Sequence, residues 1–360
     1  VKDLLDEYKY LSEKFDYEIV DPNKNPVLAK QYNIDQYGQA VFLCQDKRQK
    51  IDKIDEPNVT NAILKVSQDK VYTVYFMTGH GEKNIDDTSP TGFSEIVKML
   101  KDENYQVKKL NLLKDKTFPD DCDVLVIAAP QSPYFPAEID SLEQYLNNGG
   151  SIVLLADFMP MLPENLKQFA AKHGIKVGNG IVLDPSPIGQ LLGFGAAVPL
   201  VQDYQPHKIT KKLNQASFFP RVVNLSKNDT VKSYTIQSLA KTGSQTWAEM
   251  DLNKKEITFD EGKDVKGPIS IAMIAEKEQD GKKSMLIVFG DADFVSNQFV
   301  RNGSNRDLFQ NTINYAAGAE NLITVRPKKM EDRRITMTQR QSKMVLVSVI
   351  LLPLLIVIGG

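Results

Sequence analysis

The chain has 360 residues, of which 42% are hydrophobic and 25% charged, with a formal net charge of -2. That length holds two or three domains with real cores, and the balanced charge excludes the strongly basic footprint of a nucleic-acid binder. Two separated cysteines, Cys44 and Cys122, exclude a disulfide-stapled scaffold, and three histidines with no helical pair among them exclude a dedicated transition-metal site.

The chain opens on a helix, without an initiator methionine, as a clipped sequence would. Leu4, Leu5, Tyr8 and Leu11 share one face of that helix. Tyr17–Val20 reads as a short strand and Asp21-Pro22 as a turn, and Asn25-Pro26 caps and starts a second helix. Ala40–Cys44 is an apolar strand and Pro57–Asp69 a closing helix. Residues 1–69 therefore predict a small α/β unit, compatible with a thioredoxin-like fold lacking its first strand. No Cys-x-x-Cys is present, so thiol redox chemistry does not follow.

From Val71 the pattern changes to strands alternating with helices, over 70–319. Val71–Met77, Tyr105–Leu110, Val124–Ala129 and Ser151–Ala156 are strands. Phe93, Ile96, Val97 and Leu100 line one helix, and Ile139, Leu142, Tyr145 and Leu146 line another that starts at Pro136 and stops at Asn148-Gly149-Gly150. Near-continuously apolar strands separated by helices predict a doubly wound, mostly parallel sheet covered on both faces. Between about 178 and 265 glycine and proline become frequent and short β-like pieces such as Val231–Leu239 appear, which predicts a β-rich insertion. Regular order returns with Ile269–Ala275, Ser284–Phe289 and the helix Arg306–Ala317. Residues 320–343 form a basic connector, and Met344–Gly360 is an uncharged apolar run that predicts the start of a transmembrane helix.

In doubly wound sheets ligands bind beyond the carboxyl ends of the strands. Thr78-Gly79-His80-Gly81-Glu82 follows the first core strand, and His80 with Glu82 is a candidate acid/base or hydrogen-bonding pair, with Gly81 permitting close approach. Gly290-Asp291-Ala292-Asp293-Phe294 follows the last core strand. Its two carboxylates are suited to a hard cation or a sugar hydroxyl, but with no further acidic ligand adjacent in sequence no metal is expected. Gln131 and Asp157, at the remaining strand ends, are candidate polar lining. No serine or cysteine sits in a nucleophile elbow and no phosphate-loop pattern occurs, so no catalytic residue, cofactor or ATPase site is expected.

Val20-Asp21-Pro22 with Asn25-Pro26, Val74 through Glu82, Trp247-Ala248-Glu249, Asp264 with Gly267-Pro268, Gly290 through Phe294 with Ser296-Asn297, and Asn305, Asp307-Leu308-Phe309 and Asn311 occur in that order. In this the chain resembles the auxiliary component of gliding-motility-type ABC transport systems, the GldG-like family. The resemblance implies a thioredoxin-like unit, then an amidotransferase-like α/β domain without the amidotransferase nucleophile, in an extracytoplasmic body bracketed by two helices in the cytoplasmic membrane. It also implies ABC permease and ATPase partners alongside membrane lipid. The expected function is a non-catalytic, membrane-anchored accessory subunit that binds a partner or secreted cargo. The alternatives are a sugar- or glycan-binding module at the strand-end cleft and, last, a hydrolase using His80 and Glu82. Arg333, Arg334, Arg340 and Lys343 before the apolar run would by themselves favour a cytoplasmic body, but large domains translocate largely regardless of such charge.

Overall fold

The computed structural model describes residues 1–67, 70–191 and 193–319. The N-terminal part contains helices α1 (Lys2–Leu11) and α2 (Pro26–Gln31), strands β1 (Ala40–Cys44) and β2 (Lys47–Ile51), and helix α3 (Glu56–Ser67). Pro26 occupies the first turn of α2, where its missing N–H has no intrahelical partner to lose. Strands β1 and β2 form an antiparallel hairpin. Leu5, Phe42, Val59, Ala62 and Val66 make a small separate core beneath them.

One expectation fails in this part: Tyr17–Val20 forms no strand, because none of its residues is buried and it has no face to commit to a core. The partner of β1 is instead β2, whose sequence Lys-Arg-Gln-Lys-Ile is too polar to be read as a strand.

The central part runs β3 (Thr73–Met77), α4 (Ser94–Asp102), β4 (Gln106–Leu110), α5 (Leu112–Asp115), β5 (Val124–Ala128), α6 (Pro136–Asn147), β6 (Ser151–Leu155) and α7 (Glu164–Lys172). Strands β3, β5 and β6 are buried at every position. Alternate residues serve opposite faces, as the two-residue period requires. Val74, Phe76, Val126 and Val153 enter a core with Ile96, Val97 and Leu100 of α4. Tyr75, Met77, Leu125, Ile127, Ile152 and Leu154 enter the other, with Leu142 and Leu146 of α6 and Phe169 of α7.

The remaining elements are β7 (Ile175–Leu183), α8 (Pro187–Leu191), β8 (Leu200–Val201), β9 (Asp203–Tyr204), β10 (Ser217–Phe218), β11 (Val223–Lys227), β12 (Thr235–Lys241), β13 (Trp247–Glu249), β14 (Val265–Lys266), β15 (Ser270–Gln279), β16 (Lys282–Phe289), a 3-10 turn at Asp293–Val295, and α9 (Asn305–Ala316). Helix α9 lies in the first core through Leu308, Phe309 and Ile313 and is buried from Leu308 to Ala316.

Strands β4, β3, β5, β6 and β16 lie side by side and parallel. This is the flavodoxin-type doubly wound order, whose direction of winding reverses between β3 and β5. Beyond β16 the sheet turns antiparallel. Strand β15 returns along β16 through a two-residue loop, Asp280-Gly281, with positive φ at both positions as a type I′ hairpin demands. It then carries β12 and β11, and β7, β13 and β14 continue the sheet from β11. The mostly parallel sheet expected from sequence is thus only the first half of a mixed one. The segment read as an insertion is β-rich, but most of its strands hydrogen-bond onto the same sheet, with only β8 and β10 pairing apart from it.

No helix among the described residues is long and apolar enough to cross a membrane. The apolar run Met344–Gly360 and the connector 320–343 lie outside the described residues.

Candidate functional site

The carboxyl ends of β3, β5, β6 and β16 are neighbours, so the loops that follow them meet along one edge of the parallel half. His80, Gln131, Asp157 and Asp291 are delivered there, one from each strand. Lys83, just past the first loop, reaches across to the last, and its ammonium lies 2.6 Å from Asp293 Oδ1. The edge therefore holds two clusters of buried polar groups, one around His80 and one around Asp291.

At the β3 end the chain reverses on two glycines in the left-handed half of φ space, Gly79 at +125° and Gly81 at +78°. A Cβ on Gly81 would sit 3.0 Å from the side chain of Gln131, so the close approach of these loops depends on the glycine. The turn is closed by backbone bonds from Gln131 N and Ser132 N to the His80 carbonyl, at 2.8 and 3.1 Å. The His80 ring is 4% exposed and packs on Tyr134 with ring centres 4.3 Å apart. Its Nδ1 lies 3.4 Å from Ser132 Oγ, and its Nε2 lies 2.8 Å from Glu138 Oε2, although the N–H is not aimed straight along that line. Glu138 also accepts the Phe135 N–H at 2.9 Å and so caps α6.

Glu82 points elsewhere. Its carboxylate accepts the His80 backbone N–H at 2.8 Å and the Tyr134 hydroxyl at 2.6 Å. Burial first, and then the Glu82 charge, hold the Tyr134 phenol well above its ordinary range. The imidazole's carboxylate partner is therefore Glu138, which sequence reasoning missed. The available signal was its place three residues after Phe135, at the third helical position behind Pro136, where a capping glutamate belongs.

At the other end three buried carboxylates converge. Oxygens of Asp157, Asp291 and Asp293 all lie within 4.8 Å of one another. Asp293 is fully engaged, with Oδ1 on Lys83 and Oδ2 on the Arg221 guanidinium. Asp291 Oδ1 accepts the Asp293 N–H at 2.8 Å, and Asp157 Oδ1 accepts the Met159 N–H at 3.1 Å. The second oxygen of each, Asp157 Oδ2 and Asp291 Oδ2, is buried and meets no donor of the protein. Burial first, and then the charge of Asp293, push the Asp157 carboxyl up to about 6. Burial and its two acidic neighbours hold Asp291 well above the carboxylate range.

Of the groups in this cluster, Asp157 was read from sequence only as polar lining and Arg221 was not foreseen. Asp157 supplies the third carboxylate, and it lies far from Asp291 along the chain. Arg221 arrives from the antiparallel half. Its strand passes so close to Gly290 that a Cβ there would lie 2.2 Å from the Val223 carbonyl oxygen, and the Val223 N–H bonds the Gly290 carbonyl at 2.8 Å. Arg221 itself sits at φ +59°, rare for a side chain of its size.

Several of the ordered sequence landmarks turn out to be fasteners. Asn297 Oδ1 accepts the Glu95 N–H at the start of α4, while its amide donates to Asp87 O and Ser89 O. Asn305 donates to the carbonyls of Phe218, Phe294 and Phe299 and accepts the Phe218 N–H. Asn311 donates to Ile209 O at 2.7 Å. Asp264 accepts the backbone N–H groups of Met250 and Asp260. Glu249 is buried against Lys254 at 2.9 Å and the Trp247 indole at 3.1 Å. Burial raises the Cys122 thiol to about 12, outweighing its Tyr145 contact, which leaves it protonated and a poor nucleophile.

A family model, that of an ABC-type uncharacterized transport system with an auxiliary role, matches residues 72–324. The chain belongs to this family. It is an auxiliary component of an ABC-type transport system, and the matched span takes in the whole sheet and both clusters. No curated protein matches the chain. Among solved structures, the mmIFT52 N-terminal domain is 18% identical, with 68% of this chain and 97% of that one covered at a TM-score of 0.49. A ThuA-like protein from Bacteroides uniformis ATCC 8492 is 17% identical over 68% of this chain and 91% of its own, with a TM-score of 0.43. A GMP synthase component from Thermoplasma acidophilum is 12% identical over 71% of this chain and 98% of its own, with a TM-score of 0.39. At these scores the likenesses add nothing to the topology described above.

Proposed function

We propose that the chain is a non-catalytic, membrane-tethered subunit that binds a permease and ATPase of the ABC type and contributes recognition to the complex. The observation that carries this reading is the family match over the α/β body. Three further features support it. Met344–Gly360 is apolar and uncharged, which suits a membrane anchor. The half-buried Cys122 thiol is raised to about 12, and the imidazole of His80 faces Glu138 while Glu82 faces Tyr134, which lends the hydrolase pairing of His80 with Glu82 no support. The finer parts of the proposal are the GldG-like identity, a thioredoxin-like character for residues 1–69, and an extracytoplasmic body.

The test is recovery from native membranes. A tagged full-length chain, solubilised in mild detergent, should bring down a multi-span permease and an ATPase in fixed ratio. Recovery of neither, from membranes that contain both, would reject the reading.

The second reading, a sugar- or glycan-binding edge, has a narrower footing. Its polar groups would be Gln131, which is exposed, and the acidic cluster. A glycan array in which an Asp293→Ala or Gln131→Ala chain matches the wild type, or in which nothing binds, removes it.

A further inference from the structure

We propose that Asp157 and Asp291, with Asp293 beside them, hold a hard divalent cation of the magnesium, manganese or calcium kind. Charge comes first. Three carboxylates, exposed by 1%, 0% and 5% in that order, share two cations, Lys83 and Arg221. Both cations lie on Asp293 and occupy both of its oxygens. Asp157 and Asp291 each place one oxygen on a backbone N–H, which fixes the direction of the carboxylate. The remaining oxygen of each is buried without a donor of the protein. Buried charge persists only where it is paired or neutralised, and a lone buried acceptor carries the full cost of its lost hydration.

The donor set decides the class of cation. It consists of carboxylate oxygens alone, from the loops after β6 and β16, with their oxygens mutually within 4.8 Å. Oxygen-only sites suit hard ions, and no histidine nitrogen or cysteine sulfur belongs to the group. The same side chains serve a fixed fold. Asp157 and Asp291 each lie two residues past the paired ends of adjacent parallel strands, Leu155 and Phe289, so the sheet fixes where both loops begin. Lys83 and Arg221 tie down Asp293, which leaves the two unpartnered oxygens as the ones that take the ion.

This inference does not rest on the permease reading, and the two fail separately: a chain that recovers no permease can still bind the ion. The full chain, purified in detergent and stripped with EDTA, is titrated with Mn2+ while free Mn2+ is followed by electron paramagnetic resonance. One saturable site is expected, with a Kd below about 100 µM, in the range of moderate carboxylate sites. Mg2+ or Ca2+ in excess should displace the Mn2+. Asp157→Asn and Asp291→Asn should each weaken binding at least about ten-fold while keeping the wild-type circular dichroism spectrum. Glu82→Gln, in the neighbouring cluster, should bind as the wild type does. Mn2+ should raise the melting temperature of the wild type and not of Asp291→Asn, which reads binding independently of the spectroscopic signal. Absence of a saturable site, wild-type affinity in Asp291→Asn, or displacement by Zn2+ but not by Mg2+ or Ca2+ would overturn the proposal. In the first case the pair is neutralised by a proton instead.

Discussion

At the β3 end of the strand-end edge a buried carboxylate, Glu138, stands 2.8 Å from an imidazole and also caps a helix; at the β16 end three buried carboxylates share two cations on one of their number. The sheet delivers both clusters by the same device, loops leaving the carboxyl ends of adjacent parallel strands. In the first, the unsatisfied atoms, His80 Nε2 and Glu138 Oε1, belong to a ring and a carboxylate whose nearest atoms are 2.8 Å apart. In the second, two oxygens are held in place with nothing from the protein to meet them. The His80 ring, the more prominent expectation from sequence, packs on Tyr134 and stands beside Glu138.

Substitution separates the two clusters, and the largest effect belongs to the first. His80→Ala removes a buried ring and strands the Glu138 charge, so chemical denaturation should show a loss of about 3 kcal/mol. A loss below about 1 kcal/mol would mean that the ring is not the keystone of this turn. Gly81→Ala forces a side chain to φ +78° against Gln131 and should lose about 1–2 kcal/mol by the same measurement.

A third charged group, outside the edge, supplies a reference for a satisfied carboxylate. Burial alone would raise Glu276, but His207, Lys283 and Tyr315 beside it pull its carboxyl down from 4.5 to about 2. A depressed acid stabilises the fold above its unfolded value and loses that contribution as pH falls toward its folded one. Stability should therefore decline between about pH 4.5 and 2 by about 1–2 kcal/mol on this account, after discounting for its half-exposed setting, and Glu276→Gln should flatten that part of the profile. The smallest effect has the opposite sign. With EDTA present, Asp291→Asn replaces a buried carboxyl whose second oxygen meets no donor and should stabilise the chain by about 1 kcal/mol. A destabilised Asp291→Asn would place that carboxylate with the satisfied groups and erase the contrast.

The parts of the fold that could be read from residues were those governed by local periodicity. The apolar runs of β3, β5 and β6 and the faces of α4 and α6 are patterned within a few residues, and they give the doubly wound half. The antiparallel half was legible as β-rich but not as part of the same sheet, because pairings such as β11 with β15 join segments distant in sequence. The site divides the same way. His80, Glu82, Gln131, Asp157, Asp291 and Asp293 are all at strand ends, as expected of this topology. Which of them meet was not legible: Glu138 and Arg221 are placed by a helix and a strand whose neighbours only the tertiary structure defines. The asparagines Asn297 and Asn305, which entered the sequence reading only as landmarks of the resemblance, bond backbone groups in the fold.

Helix α9 brings one of these fasteners into a mechanical relation with the acidic cluster. Asn305, at its first turn, is bonded to Phe294 and Phe299, in the loop that carries Asp291 and Asp293, and to Phe218 in β10. Asn311 and Asn314, further along, are held by Ile209 and Tyr105. Helix α9 is thus pinned at both ends and in its middle, and a change that loosened Asn305 would free the loop of the two carboxylates while leaving Asn311 and Asn314 to hold the rest.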